Sequence, residues 1–452
     1  MANTYIAWTP SSAGERKKWT MSVWLKRSAT GVQSNIYNQY KDGNYYNAKL
    51  TIQSDDRLNF VNYAESTTTN IRTTRQFRDT SAWYHIVLAV DTTEDSSDNR
   101  CKFYVNGVRE TSFTTNTRPA LNLEMFANQT QPQQWGVQRF ASSSQGFFNG
   151  SMSYIAFIDG KAELPTIFGE TDSTTGEWKI KTSITPSSGW GSNGYLILKD
   201  GNSLSDQSTN SNNFSLSSGT LTNTKDCPDN VFCTLNSLMT TVPTAGTNNG
   251  TTGTFTNGNL TWTSTNATWN SRGSGNMFVD TGKFYWETKM NTGGDFNAFI
   301  GISPTTTVHE YFDGTMGRTG NFAYYKNGNK YIGSSATSYG DAWVAGDIIG
   351  TALDATNSKL YFSKNGAWQN SGNPESGATG TGAIPITANT LYTPRCTIHN
   401  MGMSFNFGTG FFGTTAITTN SNNGYAGAEG ASKFNYQPPT GYNALSTKGL
   451  NN

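Results

Sequence analysis

GDIIGTALDATNSKLYFSKNGAW, residues 346–368, holds two strands and two turns. Ile348, Gly350, Ala352 and Asp354 fall on one side of an extended chain, and Ile349, Thr351, Leu353 and Ala355 fall on the other. That is the period-2 arrangement of a strand. The polar run Asp354–Ser358 turns the chain, after which Leu360 and Phe362 alternate with Tyr361 and Ser363. Asn365-Gly366 follows, a pair that tolerates the positive φ values of a tight hairpin. The design has an echo at Trp83–Gly107: WYHIVLAVD, a polar turn, CKFYV, then Asn106-Gly107. One architectural unit is therefore expected twice.

Composition agrees with this. The chain has 452 residues, room for two or three domains. Aromatic residues reach 13% while charged residues are only 14%, and Thr, Ser, Asn and 47 Gly fill the balance. Such a chain has the aromatic mass for a core and is not disordered. It suits an all-β protein with many short strands and long polar loops. A net charge of +1 without a Lys/Arg cluster gives no track for phosphates, so no nucleic acid is expected as partner. Arg16-Lys17-Lys18, the densest basic run, reads as a solvated turn before a strand. No run of about 20 apolar residues is present, so no membrane span is expected. MANTYIAWTPSS lacks the basic and apolar parts of a signal peptide, so synthesis in a cytoplasm without the usual export is expected, as is the absence of a long N-terminal anchor. Cys101, Cys227, Cys233 and Cys396 have no zinc-ligand spacing and read as idle thiols, with a local Cys227–Cys233 disulfide left open.

Residues 1–165 read as the first domain. Strands are expected at Trp19–Lys26, Asn35–Tyr40, Ala48–Gln53, Leu58–Tyr63, Trp83–Val90, Cys101–Val105, Val137–Arg139 and within Phe147–Asp159. WTMSVWLKRS, WYHIVLAVD with CKFYVNGV, and FFNGSMSYIAFIDG, in that order, resemble the laminin-G-like branch of the concanavalin A-like fold. The resemblance implies a β-sandwich and lectin-like binding. Residues 166–240 read as a loop-rich connecting region wrapped on the first sandwich, with a turn of helix at Leu164–Phe168. Its end, DCPDNVFCTLNSL at 226–238, resembles a linker of phage structural proteins.

Residues 241–452 read as the second domain, with strands at Phe278–Met290, Ala298–Ser303, Phe322–Tyr325, Lys330–Ile332, Leu391–Ile398 and Met403–Phe407 around the opening stretch. GKFYWETKM, FIGIS and 346–368 together resemble the SPRY domain. Gly282, Tyr285, Trp286 and Glu287 match its opening strand, Gly301 the next, and Gly346, Asp347, Gly350, Asp354, Phe362, Asn365 and Gly366 its central strand and hairpin. SPRY is a jelly-roll sandwich whose loops generally bind peptide segments. The tail FNYQPPTGYNALSTKGLNN, 434–452, resembles the ending of phage proteins that carry such a domain. Pro438-Pro439 and Gly441 exclude a helix, and the tail is expected to pack back along the sandwich or cross to a neighbour. The fold class is thus all-β: two antiparallel sandwiches, concanavalin-like and jelly-roll, joined by loops.

A catalytic site is not expected. Glycoside hydrolysis needs two carboxylates about 5–10 Å apart. Glu170, Asp172 and Glu177 lack strand spacing, and Glu287 has no acidic partner two residues away. His85 reads as a satisfied core residue; His309 lies in a loop; His399 and Cys396 sit on opposite strand faces. Calcium is the one metal considered, with Asp91, Asp95 and Asp98 as candidates beside Asp55-Asp56, against the alternative of a solvated acidic turn. For a saccharide, the candidate aromatics are Tyr45, Tyr46, Trp135, Trp269 and Tyr311 in polar loops, each of which reads first as a cap on a sandwich edge and second as a ligand contact. The resemblances imply a non-enzymatic bacteriophage virion protein, a tail fibre, capsid fibre or decoration subunit, made in the host cytoplasm. Its expected partners are other virion proteins, host-surface glycan and its own copies, by analogy as a trimer. Docking alone and glycan degradation are the alternatives.

Overall fold

The computed structural model describes residues 3–41, 46–64, 67–140, 143–237, 253–264, 271–291, 297–306, 320–421 and 423–452. The chain divides into two compact units, Met1–Asn223 and Thr224–Asn452. Each is an antiparallel β-sandwich, and no described helix is long and apolar enough to cross a membrane.

Among the described residues, the first unit has an eight-stranded sheet. Its order is Phe113–Thr117, Thr67–Gln76, Arg57–Ala64, Tyr46–Ile52, Ser34–Lys41, Gln133–Trp135, Tyr5–Trp8, Ser215–Ser218. Facing it is a six-stranded sheet in the order Tyr195–Ile197, Gly150–Asp159, Lys18–Arg27, Trp83–Asp91, Cys101–Val105, Val108–Arg109. Leu50, Phe60 and Ile71 from the first sheet meet Trp19, Met21, Leu88 and Phe157 from the second in one core. Strand Trp83–Asp91 is buried on both sides. Ile86, Leu88 and Val90 face that core, while Val87 and Ala89 lie under Phe168, Trp190 and Leu196. This double burial accounts for its near-continuous apolar sequence.

The region between the sandwiches is divided differently from the expectation. Tyr195–Ile197 extends the six-stranded sheet and Ser215–Ser218 pairs with Tyr5–Trp8, so residues up to Asn223 belong to the first unit. Residues from Thr224 belong to the second, where Cys233 and Leu235 enter the core. Cys227 and Cys233 are free thiols.

In the second unit, strands Gly402–Asn406, Lys283–Met290, Ile348–Asp354 and Lys359–Lys364 lie side by side in one sheet. The other runs Ser271–Ser274, Tyr392–His399, Asn297–Pro304, Phe322–Tyr325, Asn329–Ile332, Ser335–Ser338. All seven residues of Ile348–Asp354 are buried. Ile349 and Leu353 face the inter-sheet core, whereas Ala352 packs with Tyr285, Tyr361, Phe434 and Tyr442. The tail therefore packs back on the outer face, and Asn443–Ala444 pairs in parallel with Phe284 and Tyr285. A single helical turn, Thr447–Leu450, follows the prolines; Ser446 caps it by accepting from the Gly449 amide, so helix is excluded only up to the prolines.

Asn365 (φ 50°) and Gly366 (φ 85°) form the hairpin turn, which returns as Ala367–Trp368. A Cβ on Gly366 would lie 2.7 Å from Tyr436 Cδ1, whereas one on Gly346 (φ 94°) meets nothing within 4 Å. Gly366→Ala is expected to cost about 2 kcal/mol and Gly346→Ala about 1 kcal/mol, because only the first adds a clash to backbone strain. Urea denaturation of both variants measures the difference; equal losses would show that the tail does not press on this turn.

Candidate functional site

The first unit has a cleft of about 400 Å³ on the outer face of its eight-stranded sheet. Strand alternation builds its floor. Ile6 and Trp135 are paired and enter the core, so Ala7 and its partners Gln134 and Ser215 point outward. Tyr5 and Ser217 extend this floor. Arg139 comes from the hairpin Gln138–Phe140/Ser143–Gln145, and Thr9, Pro132 and Asn213 close the remaining sides. The hairpin is held on the sheet by Asn38 Nδ2, which donates to the Arg139 carbonyl (3.4 Å), and by Gln33 Nε2, which donates to Gln138 Oε1 (3.1 Å). Trp8, half-buried at the cleft edge, packs on Tyr195 and Phe214 at centroid distances of 5.9 and 6.0 Å.

The polar groups are only partly used by the protein. Gln134 Oε1 accepts from Asn38 (3.2 Å), and Asn213 Oδ1 accepts from the Asp206 amide (2.8 Å). The amide nitrogens of Gln134 and Asn213 and the Ser217 hydroxyl have no partner among the described residues. Donors, hydroxyls and aromatic side chains around a cleft of this size suit a small polyhydroxylated ligand.

From the sequence, Trp135 is expected in a polar loop and a strand at Val137–Arg139, whereas Trp135 ends the strand Gln133–Trp135 and the next strand is Gln138–Phe140. Trp135 is a core residue, 1% exposed, whose indole nitrogen donates to the Tyr195 hydroxyl (2.9 Å) and whose ring meets Tyr37 edge-on at 5.2 Å. It cannot stack on a ligand; its neighbour Gln134 lines the cleft. Tyr46 is half-buried against Phe126 (5.8 Å) and Tyr63 (6.4 Å), away from the cleft lining. Tyr45, Trp269 and Tyr311 lie outside the described residues, as does His309. Tyr5, Trp8, Gln134, Arg139 and Ser217 were missed. Part of the signal was present in TYIAW, where Ile6 and Trp8 alternate with Tyr5 and Ala7.

The acidic turn does not gather a metal site. Asp91 pairs with Lys18 (3.1 Å) and accepts from the Thr93 amide and hydroxyl; burial opposes its charge, but these partners hold the carboxyl below its ordinary range. Asp95 is exposed, and Asp98 pairs with Arg118 (3.5 Å). Asp56 is committed to Arg27 (2.7 Å), and Asp55 to Arg57 (2.6 Å). Among the described residues no three His, Cys, Asp or Glu side chains form a cluster that could hold a metal. His85 is fully buried: Nδ1 accepts from the Trp178 indole (3.0 Å) and Nε2 bonds Ser22 (2.8 Å), with burial pushing its pKa down to about 3. It is a neutral structural group. Burial pushes the Cys101 and Cys396 thiols up to about 12, so neither is a nucleophile.

The second unit has its own cleft, about 510 Å³, where the tail meets the hairpin after Gly366. Trp368, Tyr425, Tyr436, Pro438 and Pro439 line it with the carboxylate of Glu375. Glu375 Oε1 accepts from the Thr440 amide (2.7 Å).

Residues 1–167 match the family described as the concanavalin A-like lectin/glucanases superfamily, and residues 283–409 match the SPRY domain. The two units are accordingly a concanavalin-like and a SPRY sandwich. Solved structures similar to this chain include the heptameric SAP-like pentraxin of Limulus polyphemus (14% identity, TM-score 0.27, 36% of this chain and 72% of that one). The SPRY domain of human HERC1 is another (17% identity, TM-score 0.25, 34% and 91%). A third is a candidate carbohydrate-binding protein from Bacteroides ovatus (16% identity, TM-score 0.33, 50% and 59%). No curated protein matches the chain in sequence.

Proposed function

We propose that this chain is a non-enzymatic, carbohydrate-binding structural protein of a bacteriophage particle, which presents its first sandwich to glycans on the host surface. The observation that carries the reading is the polar, aromatic-edged cleft over Tyr5, Ala7, Gln134 and Ser215, set on a lectin-like sandwich. The virion setting rests on the resemblance of DCPDNVFCTLNSL and the FNYQPPTGYNALSTKGLNN tail to segments of phage structural proteins. A homo-oligomer follows by analogy with such appendages. A glycan array probed with the purified full chain, alongside binding to host cells, tests the reading. Saccharide-dependent binding on both supports it, and absence of binding on both removes the receptor role.

A second reading concerns the SPRY unit. Its cleft of Trp368, Tyr425, Tyr436 and two prolines suits an extended segment of another virion protein, which would make this unit the attachment half. Cross-linking within intact particles tests it: links from residues 425–439 to another virion protein support it, and links confined to other surfaces oppose it.

A further inference from the structure

We infer that the cleft of the first unit selects acidic saccharides, sugars bearing a carboxylate such as uronic or sialic acids, and that Arg139 receives the carboxylate. The inference rests on the saccharide reading of this cleft and narrows it to one chemical class.

Among the described residues, Arg139 is the one charged residue lining the cleft, and no described Asp or Glu lines it. Its guanidinium makes a single described contact, Nη1 donating to the Tyr5 hydroxyl at 3.3 Å. Other arginines of this unit are neutralised or saturated. Arg16 meets Glu124 (2.6 Å), Arg27 meets Asp56 (2.7 Å) and Arg75 meets Glu110 (2.5 Å). Arg100 donates to the carbonyls of Glu94, Asp95 and Pro119. A guanidinium has five N–H donors in a planar fork that matches a carboxylate through two parallel bonds. Arg139 thus keeps most of that fork unused among the described residues, half-buried, at the wall of a cleft whose described lining holds no anion.

Its surroundings fit the rest of such a ligand. The Arg139 backbone is fixed by Asn38, so the side chain springs from an anchored strand. Ser217 and the amide nitrogens of Gln134 and Asn213 can meet ring hydroxyls, while Tyr5 and Trp8 offer apolar surface to the sugar's C–H groups. Here one cation sits among neutral hydrogen-bonding groups. The cleft of the second unit has the opposite sign, with Glu375 as its charged residue. Of these two clefts, the first is therefore the one that favours an acidic sugar.

The test uses the full chain on paired glycan arrays carrying uronate- and sialate-containing oligosaccharides, one array native and the other with every carboxyl reduced to the alcohol. Binding at least about ten-fold tighter to the native array is expected, equivalent to about 1.4 kcal/mol. Arg139→Gln should lose that preference with its thermal midpoint unchanged, and Arg139→Lys should retain part of it. If Arg139→Gln does not fold, the reduced array alone decides. Equal binding to both arrays overturns acid selection while leaving the saccharide reading intact. Absence of binding to either array, neutral glycans included, overturns both.

Discussion

Replacing Glu287 by alanine is expected to cost the second unit about 3–5 kcal/mol and to release the tail from the sheet. Glu287 has no exposed surface, and its two oxygens act as the tail's clasp. Oε1 accepts from the Tyr436 amide (2.7 Å) and the Tyr285 hydroxyl (3.3 Å). Oε2 accepts from the Asn435 amide (2.8 Å) and Asn406 Nδ2 (3.1 Å). Alanine would leave the Asn435 and Tyr436 amides without this acceptor, while Asn406 Nδ2 keeps the Lys433 carbonyl (2.9 Å). Burial pushes the Glu287 carboxyl up to about 7, against the opposing pull of the Asn435, Tyr436 and Asn406 donors. The protonated form has an acceptor within reach, since the Tyr285 hydroxyl can turn to accept from it and itself donate to Ser363. Because the folded value lies above the ordinary 4.5, the folded unit binds more protons than the unfolded chain between those two pH values. Its unfolding free energy should therefore decline as pH rises from about 4.5 to 7. Glu287→Gln should flatten that slope. Urea denaturation across this range, with proteolysis of the tail as second readout, checks both effects; a loss under about 0.5 kcal/mol in the alanine variant would contradict the clasp.

The second large effect is expected at Trp135. Trp135→Ala should destabilise the first unit by about 3–5 kcal/mol, the usual result of emptying a buried indole site. The cavity would open between Tyr37 and Tyr195, and Tyr195 would lose the indole donor while keeping Gln133 Oε1 as acceptor (2.9 Å). Trp135→Phe should cost less, because most of the packing volume remains. Thermal and urea unfolding of both variants measure this. Were Trp135 a ligand-stacking residue, alanine would instead reduce binding at unchanged stability.

These two residues mark how far the sequence reached. Aromatic alternation and Asn-Gly turns exposed the strands that form both cores, because burial and tight turns leave short-range signatures. TTTNIRTTRQ, the strand Thr67–Gln76, was missed; its inward set is Thr69, Ile71 and Thr73, with a single large apolar side chain among them. The apolar strands Trp83–Asp91 and Ile348–Asp354 were read correctly as strands, yet what covers their outer faces was not legible. Phe168 and Trp190 cover the first, and Phe434 and Tyr442 the second, from distant parts of the chain. The Asn435 amide bonds a carboxylate 148 positions away. The cleft was harder still. It joins Tyr5, Gln134, Arg139 and Ser217 from three separated segments, and choosing Gln134 over Trp135 requires knowing which face of a three-residue strand is buried.

The central claim is that saccharide enters the cleft over Tyr5 and Gln134. Ser217 is exposed on the edge strand, so Ser217→Trp should fill the cleft without disturbing the core. Glycan binding by the full chain carrying this substitution, compared with the unmodified chain at equal thermal stability, tests the claim directly. A loss of at least about ten-fold in affinity is the predicted result, and undiminished binding with the cleft filled would contradict it.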